Sequence, residues 1–189
     1  MTIVVDSLTS QEVDIFLGQL VTIYRDAFSR TPYCKEETEV VDFAQSLPRH
    51  MEKEGFRIVV AFEDRTDQMV GFAYGLANTP DQLWYEEVAK AVEPWMVKEW
   101  LTGSFRLVEI AVTPEAQGQG VGGLLHDCLL RKQSYQKAVL STMAAETSAY
   151  WMYHKRGWGV LLDSFFFPGV TRPYRIMGLE LSRENVASL

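Results

Sequence analysis

Cysteine is scarce: 189 residues contain two, Cys34 and Cys128, far apart and outside any CxxC spacing. That excludes a disulfide framework and a thiolate zinc site and suits a reducing compartment, so a cytoplasmic protein is expected. Neither thiol has the context of a nucleophile, and both are expected in the core. Histidine is nearly as rare. His50, His126 and His154 stand apart from one another and from any carboxylate or cysteine at ligand spacing, so no metal is expected. Positive charge is in deficit, with 18 Lys and Arg against 25 Asp and Glu and a net charge of -7. This is the wrong sign for neutralising phosphates, and nucleic acid is not an expected partner. No apolar run approaches the roughly 18 residues of a membrane span, and no basic stretch followed by an apolar one opens the chain. Neither export nor a membrane is expected.

The chain is 47% hydrophobic and carries 5 Trp, 8 Tyr and 10 Phe, enough to fill a core without a staple. Repeats, low-complexity tracts and Pro/Gly-rich linkers are missing, so residues 1–189 are expected to form a single domain. Val13, Phe16, Leu17, Leu20, Ile23 and Tyr24 fall at helical spacing and predict a helix from a Ser10 cap to Phe28. A second helix is expected over 38–54, ended by Gly55. A hairpin follows, 57–62 and 69–76, around the polar turn 63–67. Then come a helix near 85–92, a strand over 105–112, a helix over 121–132 and a strand over 138–143. The strand–helix–strand order implies a crossover between parallel strands, whereas 158–167 and 174–181 read as antiparallel around Pro168-Gly169. The fold class is α/β with a mixed sheet.

The most informative segment runs from Val112 to Gly123 between a strand and a helix, with Gly118, Gly120, Gly122 and Gly123 in six positions. Glycines let the backbone approach an anion, and the free N–H groups and dipole of a helix start favour negative charge. A Walker A loop is excluded, because Leu124 stands where that loop needs Lys. Gly118, Gly120 and Gly123 also match GxGxxG. Against a dinucleotide site stand the five residues between Val112 and Gly118, and the 66 residues after Gly123, few for the strands that fold still needs. A turn that merely starts a helix needs fewer glycines.

Gln117-x-x-Gly120-x-Gly122, preceded by Val112-x-Pro114 and followed by an amphipathic helix, strongly resembles the loop of the GCN5-related N-acetyltransferase family. The segment Ala149 to Trp158, with Tyr153 four residues after Ala149 and then Lys155-x-Gly157, resembles that family's later motif, and 70–75 resembles its third strand. The resemblance covers most of the chain. It implies a mostly antiparallel central sheet with a splayed parallel strand pair and flanking helices. It also implies acetyl-coenzyme A as co-substrate, an amine as acceptor, and the homodimer common in the family. Gln117, Gly118, Gln119, Gly120, Val121, Gly122 and Gly123 would hold the pyrophosphate. Ile110, Ala111 and Val112 would hold the pantetheine arm, with the Val112 amide toward the acetyl oxygen. Tyr153 matches the family's general acid. Glu146 stands where many members place Asn, so that contact is not carried over.

Glu109 is a carboxylate inside an otherwise apolar strand, on the face opposite Val108 and Ile110. It suits a general base with a raised pKa, or a structural partner of Arg106, Arg57 or a backbone amide. The acceptor is less legible. Residues 81–99 carry Asp81, Glu86, Glu87, Glu93 and Glu99 among large aromatics, a composition that suits a small cationic amine and equally a solvated helix face over packed tryptophans. Trp84, Tyr85, Glu86 and Tyr33 are the candidate acceptor contacts. A peptide N-terminus or lysine is the alternative acceptor, and a non-catalytic acetyl-coenzyme A sensor is the alternative of a different class.

Overall fold

The computed structural model describes residues 2–181, which group into two compact units. The first comprises 2–76 and Glu109–Leu130, the second Ala77–Val108 and 131–181.

In the first unit, β1 (Ile3–Ser7) runs antiparallel to β2 (Arg57–Glu63), and β2 antiparallel to β3 (Gln68–Ala77), with a register shift between Ala61 and Phe62. β1 has no counterpart among the sequence expectations. β3 is buried along all of its length after Gln68, so it reads as a continuous apolar run, without the alternation of a one-sided strand. Helix α1 (Ser10–Phe28) has the expected bounds, but its cap is Thr9, whose hydroxyl accepts from the Glu12 amide while the Glu12 carboxylate returns to the Thr9 amide. Such a reciprocal pair satisfies two of the free donors of a helix start. The hydrogen bonds from Thr9 also hold the Glu12 carboxyl below its ordinary pKa. Helix α2 (Glu37–Met51) packs on α1 and stops a turn earlier than expected. Cys34 does not enter the core: it lies exposed between the two helices with φ +45°, so the expectation of a buried thiol fails there.

The second half of β4 (Phe105–Val112) lies beside β3, and the Thr113 amide just past its end donates to the Val70 carbonyl at 2.9 Å. The approach is close at Gly71. A Cβ there would lie 2.9 Å from the Ala111 carbonyl oxygen and 3.1 Å from Leu125 of α5 (Val121–Leu130). Gly71→Ala must therefore displace β4 or α5, an overpacking that costs about 1–3 kcal/mol. At roughly 2–4 °C per kcal/mol for a chain of this size, the expected fall in thermal midpoint is about 2–12 °C. An unchanged midpoint by differential scanning fluorimetry would show that the strand yields without cost.

In the second unit the first half of β4 pairs parallel with β5 (Lys137–Met143) at Phe105↔Ala138 and Arg106↔Val139. This short register at the start of both strands is what a splayed pair has. β7 (Tyr174–Glu180) lies antiparallel between β5 and the outer β6 (Gly159–Phe165). The strands are thus mostly antiparallel with one parallel pair, as expected. Helix α3 (Leu83–Ala91) leads into a single turn, α4 (Pro94–Met96), and a π-helical turn over Val97–Leu101. Gly178 admits the Trp100 ring, which a Cβ would meet at 2.6 Å. Helix α6 (Ser148–Lys155) is capped by Thr147 and followed by Gly157 at φ +86°, a conformation that favours glycine.

Candidate functional site

The loop after β4 turns on two glycines with positive φ. Residues Pro114–Ala116 form one 3-10 turn, Gln117 is extended, and Gly118 and Gly120 take φ of +72° and +85°. Neither glycine would crowd a Cβ, so φ alone selects glycine there. Gln117 to Gly120 are exposed. Helix α5 begins at Val121, and Leu124 donates to the Gly120 carbonyl. Helix geometry therefore leaves the amides of Val121, Gly122 and Gly123 without an intrahelical acceptor. Gln117 Nε2 donates to the Val112 carbonyl at 2.9 Å, and Gln119 Nε2 to that of Glu115 at 2.8 Å, so both side chains brace the loop backbone. Because the Thr113 amide faces β3, strand alternation turns the Val112 amide away from it.

Three residues before Val112 on the same strand, the Glu109 carboxylate is half-buried, with its side chain 20% exposed. Burial pushes its pKa up, opposed by the Lys35 ammonium and by the Ile110 amide, which donates to the carboxylate. Its partner is Lys35, at 3.7 Å. Lys35 is a residue that no sequence motif singles out. Arg106, one of the expected partners, instead lies buried with its guanidinium 5.4 Å from the Trp84 ring centre.

The candidate acceptor residues fall in both units. In the first, Tyr33 stands edge-on to Phe28 with ring centres 5.0 Å apart. In the second, Tyr85 is buried with Val88, Leu101, Val139 and Ile176, and its hydroxyl meets Thr102 at 3.2 Å. Trp84 donates from its indole N–H to Ser141 Oγ at 3.2 Å, while Glu86 is exposed. The acidic stretch is partly neutralised, since Glu87 pairs with Lys90 within it and Glu99 with Lys137 of β5.

Tyr153 is the buried residue of α6, edge-on to the buried Trp158 with ring centres 5.8 Å apart. His154 turns to the other side, against Tyr150 and Trp151. Among the described residues no cluster of three His, Cys, Asp or Glu side chains could hold a metal, and no helix is long and apolar enough to cross a membrane.

Comparison with known proteins agrees with this fold. Residues 18–158 match the model of the acetyltransferase (GNAT) family. A GCN5-like protein acetyltransferase of Mycobacterium tuberculosis is 26% identical over 209 residues, covering 96% of this chain and 99% of its own. In fold, the chain is similar to an acetyltransferase of the GNAT family from Desulfovibrio desulfuricans, with TM-score 0.64 and 20% identity over 96% of this chain and 100% of that one. It is also similar to a Salmonella typhimurium structure described with its cofactor acetyl-CoA, with TM-score 0.61 and 13% identity over 97% and 96%.

Proposed function

This chain belongs to the GNAT acetyltransferase family, and we propose that it carries the acetyl group of acetyl-coenzyme A to a primary amine by direct transfer. The observation that carries the reading is the succession on one strand, loop and helix start of a half-buried carboxylate with a raised pKa, an outward amide at Val112, and the free amides of 121–123. The family match runs through segments of both units, which supports reading residues 1–189 as one transferase domain. Two unpaired cysteines fit a cytoplasmic location.

The loop fits the co-substrate's anionic part: Gly118 and Gly120 hold positive φ where other residues would strain, and the start of α5 offers unpaired donors beside them. Bound acetyl-coenzyme A supplies an acetyl group activated as a thioester. Ile110, Ala111 and Val112 would hold its arm, and the Val112 amide would stabilise the acetyl oxygen, where charge develops. Glu109 takes the proton of the attacking amine. Tyr153 gives a proton to the departing sulfur. The acceptor we favour is a small cationic amine, with Glu86 as an exposed acid and Tyr33 and Trp84 as ring contacts. A protein lysine or N-terminus is the second reading, favoured by the protein acetyltransferase relative.

Saturating acetyl-coenzyme A, at about a hundred times Kd, should stabilise the protein by about 2.7 kcal/mol. That corresponds to a rise in thermal midpoint of roughly 5–10 °C. Gly120→Val removes the rise, because a β-branched residue is strained at φ +85°. A rise with nicotinamide dinucleotide and none with acetyl-coenzyme A would overturn the donor assignment. Thiol release with a panel of small amines against lysine peptides then separates the two acceptors, and an absence of thiol release with every amine would point to a sensor.

A further inference from the structure

We propose that Lys35 is the positioning residue of Glu109: an ammonium fixed on an aromatic platform that keeps the neighbouring carboxylate ionised and aimed for proton abstraction. The inference rests on the reading of Glu109 as the base. Lysine side chains on a surface loop ordinarily move among many rotamers, and an exposed ion pair contributes little. Lys35 differs in each respect. Its side chain is 15% exposed, and its ammonium lies 4.4 Å from the centre of the Tyr24 ring and 4.3 Å from that of Phe28, donates to the Tyr24 hydroxyl and stands 3.7 Å from Glu109 Oε2.

The platform is itself held. Tyr24 stacks on Phe43 of α2 with ring centres 4.1 Å apart and planes 3° from parallel, and Phe28 meets Tyr24 edge-on. Arg25 binds both oxygens of Glu37 and so clamps the end of α1 to the start of α2. Within the connection, the Tyr33 and Cys34 amides both donate to the Arg30 carbonyl and the Lys35 amide to that of Phe28, which fixes the backbone from which the side chain departs. Desolvation works against a carboxylate at Glu109. A cation within about 4 Å in a half-dry setting works for it, and more strongly than in water.

Lys35 approaches from the α1–α2 connection, with Tyr24 of α1 behind it, and the Ile110 amide lies on the same strand. On β3 the titratable residue is Tyr74, whose hydroxyl is bonded to His50 of α2, and on α5 His126 and Asp127 pair with each other. Among the described residues, the cation that lies against the carboxylate and lowers its pKa is Lys35.

The test reads Glu109 in two ways, through the pH dependence of kcat/KM and through 13C NMR titration of carboxyl-labelled glutamate, with the resonance assigned by its loss in Glu109→Gln. In Lys35→Met the Glu109 titration moves to higher pH. On the acidic limb kcat/KM falls about tenfold, the effect of a shift of about one pH unit, while the alkaline plateau falls by a smaller factor. Lys35→Arg restores most of the limb, and Tyr24→Phe, which keeps the ring and removes the anchoring hydroxyl, moves the titration in the same direction by less. An unmoved Glu109 resonance in both Lys35→Met and Tyr24→Phe overturns the proposal. A resonance that moves while the rate profile stays in place leaves the coupling standing and removes Glu109 from the role of base.

Discussion

Glu109→Gln is expected to lower kcat/KM by about 10²–10⁴-fold and to abolish the acidic limb of its pH profile. The sign follows from the role. A base works deprotonated, so activity rises with pH through the Glu109 pKa, which burial has pushed above the ordinary carboxylate value. Below that pKa the free enzyme carries a protonated Glu109, and kcat/KM declines tenfold per pH unit. Glutamine keeps the size of the side chain and an oxygen for the Ile110 amide, but it takes no proton. The residual activity then has no such limb. The glycine loop is untouched, so the stabilisation by acetyl-coenzyme A persists in the variant and separates lost chemistry from lost binding. Steady-state rates from pH 5 to 9 decide it, and an acidic limb that survives the substitution assigns the proton abstraction to another group.

The distribution of what could be read in the sequence has a physical basis. α1 and β4 have the expected bounds because their signals are local: apolar residues at helical spacing in one, an apolar run ending at Thr113-Pro114 in the other. β1 is five residues with Asp6 inside, and what makes it a strand is its register against β2, more than fifty residues away. The placement of β7 between β5 and β6 is likewise a matter of long-range pairing. Trp100 carries no mark that it packs over Gly178. The loop's glycines were legible because positive φ is a backbone demand that only a few residue types meet. Lys35 was not, since a lone lysine in a turn has no pattern, and only the fold brings it to Glu109. The acid count of residues 81–99 overstated the attraction for a cation, because a sequence shows charges and not that Lys90 and Lys137 already neutralise two of them.

Tyr153→Phe should lower kcat by about 10²-fold or more, with the thermal midpoint falling by no more than the loss of one hydroxyl contact, about 1 kcal/mol, brings. The ring of Tyr153 is buried on α6 and packs edge-on against Trp158, and phenylalanine keeps that ring and its contact. The substitution therefore isolates the hydroxyl. Alanine would confound the comparison, since removing a buried aromatic ring costs about 3–5 kcal/mol in its own right. If the phenol protonates the departing sulfur, its loss matters most when the thiolate is a poor leaving group. An acetyl donor built on a more acidic thiol needs less help and should narrow the gap between the wild type and the phenylalanine variant. A loss of the same size with both donors would assign the hydroxyl to binding or orientation instead. Wild-type turnover in the variant would leave Tyr153 as a packing residue, with the proton supplied by solvent or by another group.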